Sequence, residues 1–304
     1  MVDAPKYIWL DGKIVDYEKA SVHILTHSLQ YGSGIFEGIR AYETKDNSAV
    51  FRLDDHVKRF INSAHICNIK LGYTHEQLFS AILNIVKKNM LKRCYIRPFA
   101  FYNDPNIGLS TEGKKISVSI AAVPFGSYFR NKDIGIKCNV SALRRINPSI
   151  LPTQAKASGN YVNSILASID AKNQGVDDAI LISNEGFVAE GPAENIFLVN
   201  DGKLLTPSKE ANILLGITRD TIIKIAKDRG IEVEERQIHK EELYTADEVF
   251  FTGTAAEITS IISIDSRKIG DGRQGKITKN LEKDYLDVVS GKRPEFDDWL
   301  TKVY

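Results

Sequence analysis

The sequence is poor in cysteine, with three among its 304 residues. They lie far apart, at Cys67, Cys94 and Cys138, and none forms a Cys-x-x-Cys pair. Neither a disulfide framework nor a metal-binding cluster is therefore predicted. An excess of charge is missing too, because 40 basic residues face 39 acidic ones and the net charge is +1. This balance gives no electrostatic reason to expect nucleic acid or an anionic membrane as a partner.

Long apolar runs are also missing. The N-terminal residues MVDAPKYIWLDGK contain no apolar stretch of signal-peptide length, and no segment is apolar enough to span a bilayer. What the chain does contain, 43% hydrophobic and 26% charged residues, is ordinary for a globular enzyme with an ample core. We therefore expect a cytoplasmic protein of one large or two medium domains.

Strand and helix patterns alternate irregularly along the chain, which favours an α+β fold. Residues 124–133, PFGSYFRNKD, place Pro, Gly and charges between two apolar runs and predict an interdomain linker. Residues 1–123 then form a small N-terminal α/β domain. Residues 134–304 form a larger C-terminal domain, rich in strands with inserted helices.

Several local patterns are specific enough to predict single elements. An Asp11-Gly12 turn predicts a hairpin, and Thr74 with Gln77 predicts a capping box at the start of a helix. Asp54 is the expected cap of the preceding helix. In the helix after residue 160, Ile165, Leu166 and Ile169 form the stripe expected to face inward.

Lys156 stands among small residues in the stretch LPTQAKASGNY, residues 151–161. A backbone without bulk lets a flat ligand come within covalent reach, and a neutral lysine amine forms a Schiff base with a carbonyl. Tyr161 follows closely enough for its phenol to face the same ligand. A surface lysine in a loop is the commoner case, and this stretch alone leaves that alternative open.

Three other segments could serve the same ligand. Gly216-Ile217-Thr218 opens a predicted helix, where free N–H groups bind anions, and Gly253-Thr254-Ala255-Ala256 could form a second anion nest. Glu190 ends a strand and could hold a pyridine nitrogen protonated. Each segment has an ordinary alternative, namely a plain helix cap, a tight turn and a solvated hairpin glutamate.

Three features could bind an acidic or apolar group. Tyr95 and Arg97 share one face of the strand RCYIRPFAF, and a phenol beside a guanidinium suits a carboxylate, although an exposed edge strand would look similar. In YGSGIFEGIR, glycines alternate with Tyr31 and Phe36, which predicts either an apolar pocket or a turn running into a buried strand. Arg59 beside a helical stripe is either solvated or an anion clamp.

An amine, an anion cradle and a carboxylate are what a protein supplies to pyridoxal 5′-phosphate. The motifs YGSGIFEGIR, YIRP, LPTQAKASGNY, AEGPAENIF, LLGITRD and FFTGTAAEI, in this order, resemble those of the class IV aminotransferases of fold type IV. The resemblance is greatest to the branched-chain amino acid aminotransferases, and it runs from about Tyr7 to Tyr285. It implies a two-domain fold like that of D-amino acid aminotransferase, with pyridoxal phosphate between the domains.

The resemblance also assigns residues. It makes Lys156 the catalytic Schiff-base lysine and proton shuttle. The cofactor positions are Tyr161 for O3′, Glu190 for the pyridine nitrogen, and Arg59, Ile217, Thr218 and Thr254 for the phosphate. The substrate positions are Tyr95 and the backbone of Ala255 and Ala256 for the α-carboxylate, Arg97 for the second carboxylate of glutamate, and Tyr31 and Phe36 for the apolar wall. Phe125 stands where some family members have tryptophan, which bears on the preference among substrates.

The implied activity is transamination between L-leucine, L-isoleucine or L-valine and 2-oxoglutarate, giving branched-chain 2-oxo acids and L-glutamate. Leu109 corresponds to a residue that family members lend to a neighbouring subunit, so a homodimer or larger homo-oligomer is expected. The alternatives are a D-amino acid or (R)-amine transaminase, an aminodeoxychorismate lyase, and a non-catalytic binding protein. The first is expected to lack the Tyr-x-Arg strand, and the last would require an idle Lys156.

Overall fold

A computed structural model describes residues 4–45, 47–105, 107–126, 128–129, 132 and 134–304. The helices are α1 (His27–Tyr31), α2 (Leu53–Ile66), α3 (His75–Lys88), α4 (Tyr161–Asn173), α5 (Ile217–Asp228), α6 (Glu242–Thr245) and α7 (Lys276–Val289). The strands are β1 (Tyr7–Leu10), β2 (Lys13–Asp16), β3 (Gly34–Phe36), β4 (Ile39–Glu43), β5 (Ser48–Phe51), β6 (Cys94–Tyr102), β7 (Ile116–Pro124), β8 (Ile136–Arg144), β9 (Asp178–Ile182), β10 (Val188–Glu190), β11 (Asn195–Asn200), β12 (Lys203–Pro207), β13 (Val233–Arg236), β14 (Glu248–Gly253), β15 (Glu257–Ile264), β16 (Arg267–Lys268) and β17 (Leu300–Lys302).

The chain divides into two compact units. Unit 1 comprises Met1–Gly126, Ala155–Gly159 and Asp287–Tyr304, and unit 2 comprises Ser127–Gln154 and Asn160–Leu286. The first boundary falls inside the stretch 124–133 that we interpreted as a linker. Residues 155–159 and 287–304 group with unit 1, whereas the sequence interpretation placed them in the C-terminal domain. They do so because Ala157 bridges to Ile35 and β17 pairs with β5.

Unit 1 is built on an antiparallel sheet in the order β17-β5-β4-β6-β7-β1-β2, with β3 pairing with β6. Helices α2 and α3 contribute Phe60 and Ile85 to its core, where they join Ile96 and Ile120 from the sheet. Side chains alternate along a strand, so burial of Ile96 places Tyr95 and Arg97 together on the opposite face of β6.

The predicted turn and cap of unit 1 are confirmed. Asp11 and Gly12 have φ values of 47° and 85° between β1 and β2. At the start of α3, the backbone N–H of Gln77 donates to Thr74 Oγ1, and that of Thr74 donates to Gln77 Oε1. The prediction of Asp54 as a cap is wrong, because α2 begins at Leu53 after Arg52 and places Asp54 in its first turn.

Unit 2 contains a sheet in the order β10-β9-β8-β15-β14-β11-β12-β13, with β16 pairing with β15. Strand β10 pairs with both β9 and β11, so six strands from β10 to β11 close into a ring. Strand β8 runs parallel to both β9 and β15, while the pairings β11–β14 and β14–β15 are antiparallel. Together with unit 1, these mixed sheets and helices confirm the predicted α+β class.

The predicted inward stripe of α4 is wrong. Ile165, Leu166 and Ile169 are each about half exposed, whereas Ala167 and Ala171 are fully buried. The alanines pack against Ala179 and Leu181 of β9. Small side chains let the helix backbone lie close to the sheet, so the face with the larger apolar residues points away from it.

The C-terminal part also differs from the prediction. Strand β15 and helix α7 were not predicted. Near the C-terminus, Pro294–Trp299 form a 3₁₀ helix in which Trp299 packs edge-to-face on Phe51, and Leu300 begins β17. Within the described part of the chain, no helix is long and apolar enough to cross a membrane.

Thr74→Ala tests the capping box of α3. The substitution leaves the N–H of Gln77 without its acceptor, so we expect the free energy of unfolding to fall by about 1 kcal/mol. Urea unfolding of the full chain measures this difference. Thr111→Ala is the control, because Thr111 is exposed and its hydrogen bond to the N–H of Lys114 is made by its backbone carbonyl. Equal unfolding midpoints for the two variants would contradict the assignment.

Candidate active site

The main chain at Lys156 is fixed on both sides. Its N–H donates to Ser63 Oγ of α2 at 3.0 Å, and its carbonyl accepts from the N–H of Phe36 at 3.0 Å. The lysine Nζ lies 5.0 Å from the centroid of the Phe36 ring. The segment around Lys156 is therefore tied to strand β3 and helix α2, and the surface-loop alternative is wrong for its backbone.

The small residues near Lys156 have a packing role that the sequence did not indicate. A Cβ atom on Gly32 would lie 3.1 Å from the Cα of Gly159, a distance tighter than most such contacts. Gly32 also has a φ of 63° at the end of α1. The two glycines thus let one chain segment approach the other closely, and this contact holds residues 155–159 beside α1.

Arg59 is held by a carboxylate that the sequence interpretation missed. Its Nε donates to Glu37 Oε1 at 2.6 Å and its Nη2 donates to Glu37 Oε2 at 2.9 Å. His56, one helical turn before Arg59 on α2, contacts the same carboxylate at 2.8 Å through Nδ1. The side chain of Glu37 is completely buried, whereas that of Arg59 is 15% exposed. The alternative of a solvated helix arginine is therefore wrong.

The charges in this cluster follow from its surroundings. Burial alone would raise the pKa of Glu37, but Arg59 and His56 outweigh it and hold that pKa far below its usual range. For His56 the order is reversed, since burial lowers its pKa more than Glu37 raises it. Glu37 is therefore an anion that can only accept, so neutral His56 carries its proton on Nδ1.

Tyr95 and Arg97 lie together on β6, which has neighbours on both sides and is not an edge strand. Arg97 Nη2 donates to the Tyr95 hydroxyl at 3.2 Å, and the guanidinium lies 4.7 Å from the Phe36 ring centroid. The Tyr95 ring packs on Phe125 with centroids 5.1 Å apart. Unit 1 thus brings together a phenol, a guanidinium and two further aromatic rings, Phe36 and Phe125.

Gly38 and the loop at Gly108 contact two of the predicted substrate-site tyrosines. A Cβ atom on Gly38 would lie 2.0 Å from the Tyr95 hydroxyl, so the position of the phenol requires glycine there. The Tyr31 hydroxyl accepts from the N–H of Gly108, and Leu109 next to it is 78% exposed. The glycine-rich motif also runs into buried strands, as Ile35 and Ile39 are fully buried.

In unit 2, Glu190 is buried and has several partners. Its Oε1 lies 2.7 Å from Arg145 Nε, and its Oε2 accepts from Asn195 Nδ2 at 3.1 Å and from the N–H of Leu214 at 3.1 Å. The prediction of a carboxylate at the end of a strand is correct in its placement, on β10. The alternative of a solvated hairpin glutamate is wrong.

Asn195 connects Glu190 to the start of α5. Its Nδ2 also donates to the carbonyl of Leu214, and a Cβ on Gly216 would lie 2.0 Å from its Oδ1. Glycine is therefore required immediately before Ile217 and Thr218, which are buried in the first turn of α5. The N-terminus of this 12-residue helix has no side-chain cap hydrogen bond and carries Asp220 in its first turn, and the helix dipole favours an anion at this end.

The second small-residue segment follows β14, which pairs with β11 so that Thr252 faces Asn195. Thr254 and Ala255 are partly exposed, and Ala256 is buried with its carbonyl accepting from Thr259 Oγ1. Glu257 follows in the left-handed region, with φ of 55°, and accepts from Lys132 Nζ at 2.7 Å.

The predicted site residues are thus divided between the units. Unit 1 holds Tyr31, Phe36, Arg59, Tyr95, Arg97, Leu109, Phe125 and Lys156, and unit 2 holds Tyr161, Glu190, Ile217, Thr218, Thr254, Ala255 and Ala256. Tyr161 is the first residue of α4 and is partly exposed.

The sequence interpretation missed four supporting residues, namely Glu37, His56, Arg145 and Asn195. Glu37 and Asn195 lie inside the motifs GIFEGIR and AEGPAENIF, so their place in these motifs could have identified them as supporting residues. His56 precedes Arg59 by three residues on one helix, and this spacing places both on the same face. No motif surrounds Arg145 in the sequence, so its contact with Glu190 is visible only in the folded chain.

Comparison with known proteins supports a single family. Residues 34–264 match the family described as amino-transferase class IV. A branched-chain-amino-acid aminotransferase from Pseudomonas aeruginosa is 44% identical over 100% of this chain and 99% of its own length. A putative branched-chain-amino-acid aminotransferase from Methanocaldococcus jannaschii is 40% identical over 98% of this chain and 99% of its own.

Solved structures agree with this result. The branched-chain aminotransferase of Thermoproteus uzoniensis, solved with norvaline, matches with a TM-score of 0.95 and 47% identity over 99% of this chain and 100% of that one. The Escherichia coli branched-chain amino acid aminotransferase matches with a TM-score of 0.96 and 40% identity over 99% and 100%. The family predicted from the ordered motifs is confirmed, and this chain belongs to the class IV aminotransferases.

Proposed function

We propose that this chain catalyses pyridoxal phosphate-dependent transamination between branched-chain L-amino acids and 2-oxoglutarate. The observation that carries the proposal is the arrangement in unit 1. There the Arg97 guanidinium contacts the rings of both Phe36 and Tyr95, and the main chain of Lys156 is hydrogen-bonded to Phe36. Relatives with 40% identity or more along nearly the whole chain are named branched-chain-amino-acid aminotransferases.

Ligands named for solved neighbours support the two substrates. Another branched-chain amino acid aminotransferase, 42% identical to this chain, was solved with N-(5′-phosphopyridoxyl)-L-glutamate and also with 4-methylvaleric acid. The first ligand combines the cofactor with an acidic amino acid, and the second has a branched aliphatic chain. A site that accepts both needs an apolar wall and a cation, which Phe36 and Arg97 supply here.

The residues present fit pyridoxal phosphate. In unit 1, Lys156 supplies an amine, and Arg59 supplies a cation suited to a phosphate. In unit 2, buried Glu190 supplies an anion suited to a ring nitrogen, and the N-terminus of α5 suits a phosphate. Tyr161 is assigned to the ring hydroxyl, and Ile217, Thr218 and Thr254 to the phosphate. When bound, the cofactor supplies an electrophilic carbonyl and a protonated ring that takes up electron density.

We assign the proton transfers of the proposed reaction to Lys156. Its Nζ removes the proton from the substrate Cα and later returns a proton during the transfer of the amino group. Because its backbone is bonded to Ser63 and Phe36, the amine moves only by side-chain rotation. The paired Glu190 remains an acceptor throughout, since Arg145 and Asn195 stabilise its charged form.

Tyr95, with the backbone of Ala255 and Ala256, is proposed to bind the α-carboxylate. Gly38 leaves room for the phenol, and the Arg97 guanidinium bonds to the same hydroxyl. Arg97 is exposed, so it can receive the second carboxylate of glutamate and remain solvated beside an aliphatic substrate. The alternatives of a D-amino acid or (R)-amine transaminase and of a lyase are not favoured by the named relatives.

We also propose a homodimer in which Leu109 acts in the partner's site. Leu109 and Ile107 are more than 70% exposed in the chain, and Leu29 and Ile24 are also largely exposed. Apolar side chains this exposed favour burial against a second copy of the chain.

Lys156→Ala tests the central assignment. The variant lacks the amine, so we expect the purified protein to lose the yellow colour of bound pyridoxal phosphate. Transfer from L-leucine to 2-oxoglutarate should fall more than about a thousandfold. Lys87→Ala, at an exposed lysine of α3, is the control and should retain both properties. A yellow and active Lys156→Ala protein would refute the proposed function.

Gly38→Ala tests the placement of Tyr95. The added methyl group overlaps the phenol hydroxyl, so Tyr95 must move and binding of the α-carboxylate weakens. We expect kcat/KM for L-leucine to fall about tenfold or more. The matched control is Gly126→Ala, because a Cβ there meets no atom within 4 Å. Similar kinetics for the two variants would exclude this role of Tyr95.

Subunit mixing tests whether Leu109 acts across the dimer. Leu109→Asp and Lys156→Ala homodimers should each be weakly active, but a hybrid has one site with both residues intact. After unfolding and refolding as an equal mixture, about a quarter of the wild-type activity should return if dimers form at random. An unmixed sample of each variant, refolded alone, is the control. No recovery in hybrids isolated by affinity tags would show that Leu109 does not act across the dimer.

A further inference from the structure

Glu37 is a fully buried carboxylate that has no role in the proposed chemistry. It lies between Phe36 and Gly38 at the junction of β3 and β4, and its side chain has no exposed surface. Arg59 and His56 both bond to it from helix α2. A buried ion pair is seldom a net source of stability, because desolvation offsets the attraction of the charges. This position therefore calls for an explanation other than stability.

The two bonds to Glu37 determine the orientation of Arg59. Nε and Nη2 lie on one edge of the planar guanidinium, and the two carboxylate oxygens accept from both at 2.6 and 2.9 Å. A two-point contact fixes the plane of the group and the direction of its opposite edge. His56 in turn holds Oε2 at 2.8 Å, which prevents the carboxylate from rotating.

The same elements also hold Lys156. Ser63, two turns of α2 after His56, accepts from the N–H of Lys156, and the residue before Glu37 donates to its carbonyl. The amine of Lys156 and the guanidinium of Arg59 are therefore both positioned by α2 and by residues 36–37. A phosphorylated ligand must fit both groups at once, so a fixed spacing between them favours binding.

We propose that Glu37 and His56 are positioning residues that orient Arg59 for the phosphate of pyridoxal phosphate. The proposal rests on the proposed function. In this arrangement Glu37 and His56 contribute to recognition of the phosphate group and not of the ring. A purely structural role would instead weaken the binding of phosphorylated and unphosphorylated cofactor alike.

The experiment compares Glu37→Gln with the wild type in binding to pyridoxal phosphate and to pyridoxal, which lacks the phosphate. Absorbance titration of the folded apoprotein gives both dissociation constants, and circular dichroism verifies folding. We expect Glu37→Gln to weaken pyridoxal phosphate binding about tenfold or more and to leave pyridoxal binding unchanged. Equal weakening of both ligands would overturn the proposal.

Arg59→Ala provides the second arm. Alone it should reduce the preference for pyridoxal phosphate over pyridoxal, and adding Glu37→Gln to it should have no further effect. Additive effects of the two substitutions would show that Glu37 does not act through Arg59. An unchanged preference in Arg59→Ala would remove the assignment of Arg59 to the phosphate and this proposal with it. A wild-type protein that binds neither ligand would instead refute the proposed function.

His56 gives a test that does not depend on the folding of Glu37→Gln. His56→Ala removes the Nδ1 donor and should reduce the preference for the phosphorylated ligand several-fold. The amide nitrogen of His56→Asn can replace Nδ1, so this variant should restore the preference. His75→Ala, at a histidine paired with Asp54, is the control. If His56→Ala keeps the wild-type preference, His56 does not position Arg59.

Discussion

The arrangement of unit 1 depends on the fixed backbone of Lys156. A lysine side chain has four rotatable bonds, so its amine reaches a defined place only if the main chain that carries it does not move. Here one bond joins that main chain to β3 and another joins it to Ser63 of α2. Strand β3 and helix α2, which carry these two partners, contribute Ile35 and Phe60 to the hydrophobic core of unit 1, so the segment is attached to elements that the core stabilises.

Each unit contains a buried glutamate paired with an arginine. Glu37 is paired with Arg59 in unit 1, and Glu190 is paired with Arg145 in unit 2. In both pairs further donors bond to the carboxylate, namely His56 in unit 1 and Asn195 with the N–H of Leu214 in unit 2. The two differ in which partner is available to a ligand. In unit 1 the glutamate is hidden and the arginine is partly exposed, whereas in unit 2 both side chains are almost fully buried.

The sequence predicted those features that a short stretch determines. The Asp11-Gly12 turn and the Thr74 capping box depend on a few neighbouring residues, and both are confirmed. The face of α4 depends on distant residues. Its helical pattern is apolar on more than one side, and only contact with β9 selects the alanine face. The site residues were predicted from motif order, while partners such as Arg145 required the fold because nothing near them in sequence marks them.

The surroundings of Arg97 suit its proposed role in a site that accepts both a charged and an aliphatic substrate. Its guanidinium lies 4.7 Å from the Phe36 ring centroid and 5.2 Å from that of Tyr95, so the two rings stabilise the cation. A guanidinium held by aromatic faces and by water loses little when the substrate has no second carboxylate. A buried carboxylate partner would have to be displaced by glutamate, at a cost of several kcal/mol. The aromatic setting of Arg97 is therefore better suited to alternating substrates than the ion pair that holds Arg59.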